Sequence, residues 1–322
     1  MNSSSSRSRR RTAPSVPRDW PEQLEDWRRL LGDCRLKPTR KRVHLLRVAT
    51  LRLQAQVLRW LNQYGPEHPD AEIAQRWNKQ AKYLRRALGN VRAFDVHLGN
   101  LSRLRGILTA DSGYQPRSCR TTLRQIDDLE IRFKRKRKDA AKSLLDSLAA
   151  RYDRIQRATF DLAAALRFQQ SLLPALNVHR LSEMFVSAIA AFPRLDPDSL
   201  HDFRKRLKSV RYLAELYADS REAIDFAATV KAMQGAIGAW HDWEELGAEA
   251  SRAARRRIEG ENLPELLDTI AQESLEKALA LCEKVRDQYL PSAVPDATAA
   301  LPAKKPVRRA EAPAARKHLM PA

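Results

Sequence analysis

Histidine, arginine and lysine recur at helical spacing in one segment of this sequence, LHDFRKRLKSVRYLAEL, which covers residues 200–216. Its ionisable side chains at offsets of three, seven, ten and fourteen are His201, Arg204, Lys208, Arg211 and Glu215. At about 100° per residue these side chains lie within roughly 80° of arc on an α-helix. Like charges spaced this closely repel one another. The pattern therefore predicts a face that binds an anion.

A comparable pattern occurs earlier, in VHLLRVATLRLQAQVLRW, residues 43–60. If the helix there reaches back past Pro38, one face carries Lys37, Arg40, His44 and Arg47. Arg52 is displaced toward one flank of this face. We interpret the two segments as equivalent walls of one anion-binding site.

A second pair of segments also matches, YLRRALGNVRAFDVHL at 83–98 and VKAMQGAIGAWHDWEEL at 230–246. Each has an aliphatic residue and a glycine, followed after two residues by Arg92 or His241. Arg85 and Arg92 are therefore added to the candidate ligands. Because the motifs keep their order in both halves, the sequence predicts an internal duplication, with two helical bundles packed side by side around a shared basic groove.

The composition favours an acidic polymer as the partner. The 322 residues include 59 Lys and Arg against 39 Asp and Glu, which gives a net charge of +20. A field of this size concentrates polyanions, so nucleic acid, phosphate polymers and anionic lipid are the candidate classes. The three cysteines are far apart and lack metal-ligand spacing, which indicates a reduced, cytoplasmic setting. No run of about 18 apolar residues predicts a membrane span.

The same composition predicts an all-α protein, since glycine is scarce and no segment alternates with a period of two. We expect a disordered basic arm at 1–18, a helical domain at 19–290 and a disordered tail of Pro, Ala, Lys and Arg at 291–322. The halves of the domain are expected at about 19–170 and 171–290. The predicted helices are 20–33, 39–63, 70–88, 91–108, 118–150, 151–170, 178–192, 198–218, 221–238, 240–258 and 262–289.

These motifs resemble those of the conserved histidine α-helical domain, the CHAD domain family, over about residues 20–290. The family patterns are H-x-x-R-V-x-x-R-R-L-R, L-G-x-x-R-D-x-D, H-x-x-R-x-x-x-K-x-x-R-Y-x-x-E and L-G-x-x-x-D. The matching residues are His44, Arg47, Val48, Arg52, Leu53, Leu88, Gly89, Arg92, Asp95, His201, Arg204, Lys208, Arg211, Tyr212, Glu215, Gly238 and Asp242. The chain departs from the patterns at Leu51, Gln54 and Ala93, which implies fewer cations in the first half.

The resemblance implies binding of inorganic polyphosphate in a basic groove between two helical bundles, with no catalytic activity and no cofactor. It also implies a cytoplasmic location, with association to polyphosphate granules as a further expectation. The expected phosphate ligands are His44, Arg47, Arg52, His201, Arg204, Lys208, Arg211, Arg40, Arg92 and Arg85.

Two alternatives stay open at this point. A nucleic acid offers the same closely spaced phosphates, although the segment 200–216 has no Asn or Gln to read base edges. The dipeptides His201-Asp202 and His241-Asp242 are also typical of metal-dependent phosphohydrolases. Such a metal site needs imidazole and carboxylate groups that converge away from competing cations, so the arginine row makes this the weaker reading.

Overall fold

A computed structural model describes residues 20–110, 117–166, 177–216, 220–255 and 262–290, and the regular structure in these ranges is entirely α-helical. The described helices are α1 (Trp20–Leu36), α2 (Arg40–Tyr64), α3 (Ala71–Ala110), α4 (Arg117–Leu166), α5 (Val178–Ala190), α6 (Pro197–Leu216), α7 (Arg221–Ala254) and α8 (Asn262–Tyr289). The predicted all-α class is confirmed. The basic arm predicted at 1–18 and the tail predicted at 291–322 lie outside the described residues.

Three predicted helix boundaries are wrong, because α3, α4 and α7 each continue where the sequence indicated a break. In α3 the expected break lay at Gly89 and Asn90, and in α7 it lay at Ala239, directly after Gly238. One glycine costs a helix only about 1 kcal/mol relative to alanine, which packing on both sides outweighs. In α4 the buried side chains Leu148 and Ile155 are seven residues apart, so one apolar face runs through the expected break.

Helices α1 to α4 form the first bundle around three buried tryptophans. Trp27 and Trp77 meet edge to face, with 5.7 Å between their ring centroids. Each indole N–H is satisfied inside the core, since Trp27 donates to Thr50 and Trp77 donates to Thr159. Buried N–H groups without such partners would weaken the core. The tryptophans therefore stabilise the first bundle.

The second bundle consists of α5 to α8, and it packs directly against the first. Leu51 and Ala55 of α2 belong to the apolar core of the second bundle, so α2 and α6 lie against each other. A further apolar cluster joins α3 and α4 to α7 and α8 through Phe133 and Trp243. This arrangement places α2, which carries His44, beside α6, which carries His201. The origin of the two bundles by duplication stays a prediction.

Residues outside α2 hold its N-terminal end in place. Thr39 is its N-cap and accepts a hydrogen bond from the Arg42 backbone N–H. Arg137 of α4 donates to the Pro38 carbonyl oxygen at 2.7 Å and pairs with Asp95 of α3 at 3.2 Å. The helix therefore does not reach back past Pro38, and Lys37 is not part of the α2 stripe. In the described part of the chain, every helix is too short or too polar to cross a membrane.

Candidate functional site

The apolar face of α6 determines which side chains face the neighbouring helices. Its buried residues Leu200, Phe203, Leu207 and Val210 follow a spacing of three and four. This spacing places one stripe of the helix in the core. The cationic stripe lies next to that buried face, so its arginine and lysine stems pack against the bundle while Arg204, Lys208 and Arg211 line the space enclosed by α2, α3, α6 and α7.

Two adjoining cavities occupy this space, with volumes of about 340 Å³ and 770 Å³. Both cavities are lined by Arg47, Leu51, Arg204, Lys208 and Tyr212. We call the two cavities together the central cleft. The larger one also reaches Arg85 and His201, and the smaller one reaches Arg211. Six of the ten predicted ligands therefore line one or both of these cavities.

Arg47 is held in place from the side of α3. Its Nη1 donates to the Arg85 carbonyl oxygen at 3.0 Å and lies 3.3 Å from the position of a Cβ atom built on Gly89. The absence of a side chain at Gly89 therefore makes room for the guanidinium. Burial lowers the pKa of Arg47, and the neighbouring charges of Arg85 and Arg204 lower it further. The cleft thus concentrates positive charge at a poorly solvated position.

Arg204 lies in the corresponding position against α7. Its Nη2 is 3.5 Å from a Cβ atom built on Gly238. The Nε of Arg204 is buried and has no hydrogen-bond partner, and the side chain forms no ion pair with any residue that the structure describes. A buried N–H without a partner costs about 1 to 3 kcal/mol. An anion in the cleft would relieve that cost.

Lys208 lies one turn further along α6. Burial and the charges of Arg204 and Arg47 lower the pKa of its ammonium group to about 8. Across the described ranges of the chain, Lys208 has neither an ion pair nor a hydrogen bond. Like Arg47 and Arg204, it is a cation of the cleft without a counter-ion among the described residues.

Arg52 and Arg211 differ from these cations because they share the carboxylate of Glu215. Arg52 pairs with one oxygen at 3.0 Å and Arg211 pairs with the other at 2.9 Å. Arg211 also donates to the side-chain oxygen of Gln234. Burial raises the pKa of Glu215, but the hydrogen bonds from the two arginines outweigh burial and hold it below its ordinary value. The positive charges of Arg52 and Arg211 are therefore already partly neutralised by Glu215.

The remaining predicted ligands form a group beside Arg47, at the N-terminal end of α2. His44 lies at the surface but is partly covered by its neighbours, and this partial burial lowers its pKa, with Arg92 as the strongest neighbouring charge and Arg40 also contributing. Arg40 lies along α3, where its Nη2 is 2.9 Å from a Cβ atom built on Gly99. Arg40, His44 and Arg92 therefore extend the cationic surface beyond the two cavities.

The dipeptides His201-Asp202 and His241-Asp242 contact each other through their imidazole rings. The centroids of His201 and His241 are 5.2 Å apart. Asp202 points to solvent and pairs with Lys205 at 2.8 Å. Burial raises the pKa of Asp242, whereas the charge of Arg204 lowers it in part. Within the described ranges, no group of three or more His, Cys, Asp or Glu side chains is arranged to hold a metal ion.

Sequence reasoning missed four cations that line the central cleft, namely Lys82, Arg86, Arg103 and Lys205. A signal for three of them was available in α3. Lys82 and Arg86 precede Gly89 by seven and three residues, and Arg103 follows it by fourteen, so all three lie near the face that carries Gly89. Extending the Gly89 motif along its helix would have found them.

Comparison with known proteins identifies the family of this chain. No curated protein matches the chain. PptA from Streptomyces chartreusis has a similar structure, with a TM-score of 0.54 and 17% identity over 84% of this chain and 96% of that one. The CHAD domain from the plant Ricinus communis gives a TM-score of 0.56 and 17% identity over 88% and 99%. The family model for the CHAD domain matches residues 18–251. Since this match covers well over half of the sequence, the chain belongs to the CHAD domain family.

Proposed function

We propose that this protein binds inorganic polyphosphate in the central cleft and has no catalytic activity of its own. One observation carries the proposal: Arg47, Arg204 and Lys208 converge on a single cleft, and Arg204 keeps a buried Nε without a partner there. Such cations repel one another until an anion lies between them. A chain of phosphates supplies that anion with charge spaced along the whole cleft.

Binding starts with the positive field of the whole chain, which attracts the polymer from solution. Arg47 and Arg204 then donate charge-assisted hydrogen bonds to phosphate oxygens, a role for which the planar guanidinium is suited. Lys208 contributes a mobile point charge. His201, at the edge of the larger cavity, donates an additional hydrogen bond when protonated.

The lining favours a phosphate polymer without bases over a nucleic acid. Binding of single strands depends on exposed aromatic rings on which bases stack. The aromatic side chains in the cleft are Tyr212 and Trp243, which are 6% and 7% exposed and pack in the bundle cores. They offer no free ring face for stacking. The cleft therefore suits a bare chain of phosphates, and we extend the proposal to a cytoplasmic protein on polyphosphate granules.

Calorimetric titration tests this function. Long-chain polyphosphate, a DNA duplex and a DNA single strand are each titrated into the full chain at two salt concentrations. We expect polyphosphate to bind more tightly than both nucleic acids at the higher salt. Equal affinity for all three would overturn the proposal. A parallel assay for released inorganic phosphate, with and without divalent cations, is expected to stay at background, and steady release would contradict the absence of catalysis.

A further inference from the structure

We propose that Lys208 is a site of covalent modification, at which acyl phosphates transfer their acyl group to the side-chain nitrogen. The arginines of the central cleft would dock the phosphate end of the reagent beside this amine. The inference rests on the proposed function, because it needs the cleft to bind phosphate groups. It adds a substrate class and a chemical step that binding alone does not require.

The position of Lys208 differs from that of the other lysine on the same stretch of α6. Lys208 lines both cavities of the central cleft, and it has no ion-pair partner in the parts of the chain that the structure describes. Lys205 is exposed and pairs with Asp202 at 2.8 Å. The two amines therefore form a natural comparison: Lys208 lines both cavities without an ion pair, whereas Lys205 lines only the larger cavity and is paired with Asp202.

The surroundings of Lys208 also make its amine nucleophilic. Burial, together with Arg204 and Arg47, lowers its pKa to about 8. At pH 7 roughly a tenth of such an amine is neutral, against less than about a thousandth for an ordinary lysine. Only the neutral amine has a lone pair that can attack a carbonyl carbon. The same arginines that suppress the ammonium form would bind the phosphate of the reagent.

The reaction balances without any further reactant. The Lys208 nitrogen attacks the carbonyl carbon of the acyl phosphate, and a nitrogen–carbon bond forms. The bond between that carbon and the bridging oxygen breaks, and its electron pair leaves with the phosphate. The proton lost by the amine passes to the departing group, which leaves as hydrogen phosphate. Arg47 and Arg204 stabilise the negative charge that develops on this leaving group.

The modification would regulate the cleft. An amide at Lys208 removes one positive charge and fills part of the space between α2 and α6. Polyphosphate affinity should then fall, because one of the cleft cations without a counter-ion among the described residues is lost. Conversely, polyphosphate already bound in the cleft should shield Lys208 from the reagent.

The test compares two acetylating reagents on the full-length protein. One sample is treated with acetyl phosphate and the other with acetic anhydride, which has no phosphate group. Each sample is digested with a protease that does not cut at lysine, and mass spectrometry follows acetylation of Lys208 and Lys205 with time. The same preparation is titrated with polyphosphate by calorimetry. Arg204→Gln is treated in parallel.

We expect acetyl phosphate to modify Lys208 at least about tenfold faster than Lys205, because Lys208 lies in both cavities beside the arginines that dock the phosphate group and has no ion pair that competes for its amine. The preference should shrink severalfold with acetic anhydride, with polyphosphate present, and in Arg204→Gln. Equal rates at the two lysines, or the same preference with both reagents, would overturn the inference. Because the two reagents are compared on the wild-type chain, the test does not depend on folding of the variant.

The calorimetry separates this inference from the proposed function. Tight polyphosphate binding without selective acetylation of Lys208 would overturn the inference and leave the function standing. Absence of polyphosphate binding would overturn the function. As a further check, acetyl phosphate treatment should weaken polyphosphate binding by wild type severalfold. Lys208→Arg should bind polyphosphate equally before and after treatment. A loss of affinity in that variant as large as in wild type would contradict the regulatory role.

Discussion

The Arg47 guanidinium lies 3.3 Å from the place that a Cβ atom would take at Gly89. Arg204 has the corresponding relationship to Gly238, at 3.5 Å. The two glycines of the sequence motifs therefore lie beside arginines of the preceding helices. Both glycines are inside continuous helices rather than at turns. A side chain at position 89 would crowd Arg47, whereas at position 238 a Cβ atom would make only an ordinary contact with Arg204.

Replacing Gly89 by alanine is expected to weaken polyphosphate binding severalfold. The added methyl group would push Arg47 away from its hydrogen bond to the Arg85 carbonyl oxygen. Gly106→Ala is the matched control, because it lies on the same helix with nothing within 4 Å of a Cβ atom. Gly106→Ala should raise the free energy of unfolding by about 1 kcal/mol and leave binding unchanged. Urea denaturation and calorimetry measure both effects, and equal binding by the two variants would contradict the role of Gly89.

Arg204→Gln should cost far more affinity than Arg211→Gln. Loss of one charge-assisted hydrogen bond of about 1.5 to 3 kcal/mol corresponds to roughly a 10- to 100-fold weaker complex. Arg211 is partly neutralised by Glu215, so its removal should reduce affinity only severalfold.

The control for this pair is Arg206→Gln. Arg206 is exposed on α6 and stacks over the Phe192 ring, 5.3 Å from its centroid. It carries the same charge outside the cleft, so its loss should weaken binding slightly through the overall field. Calorimetric titration of the three variants ranks them, and similar losses in all three would indicate nonspecific attraction instead of a defined site.

Polyphosphate affinity should rise as the pH falls from 7 toward 6. In the free protein, burial and neighbouring cations hold the pKa values of His44 and His201 below 6.5. A bound polyanion raises them, so the complex takes up protons that the free protein does not hold. At a pH between its pKa values in the free and bound protein, each histidine changes the association constant by up to about one log unit per pH unit.

The His44→Ala, His201→Ala double variant separates this effect from that of Lys208. The variant should lose the dependence between pH 7 and 6. It should keep the gain between pH 9 and 7, where Lys208, with its pKa of about 8, becomes protonated. Calorimetry with long-chain polyphosphate at each pH measures the affinity in both ranges. An unchanged dependence of affinity on pH below pH 7 would contradict the role of the histidines.

Glu215→Gln should destabilise the fold by about 2 kcal/mol, because the charge-assisted bonds to Arg52 and Arg211 weaken. The pKa of Glu215 lies below its ordinary 4.5 in the folded chain. Its stabilising effect is therefore complete above that value and is lost as the pH falls through the lowered pKa. Urea denaturation of both proteins should give curves that differ at pH 7 and converge at strongly acidic pH.

Asp225→Asn is the control for Glu215. Asp225 also accepts from an arginine four residues away, Arg221, but both side chains are well exposed. Its loss should change stability by less than about 1 kcal/mol. A comparable effect of both substitutions would mean that the shared carboxylate of Glu215 has no special role between the two halves.

The sequence alone determined the helical class and the two cationic stripes, because hydrophobic periodicity and charge spacing are local properties. The spacing of Leu200, Phe203 and Leu207 dictates which face of α6 is buried, and the stripe beginning at His201 follows from it. The tertiary structure decided which stripe members can receive an anion. Whether a cation is free depends on partners distant in sequence: Glu215 forms an ion pair with Arg52 across the two bundles, whereas Arg204 lies against Gly238 and has no ion pair among the described residues. Spacing along one helix carries no information about those encounters.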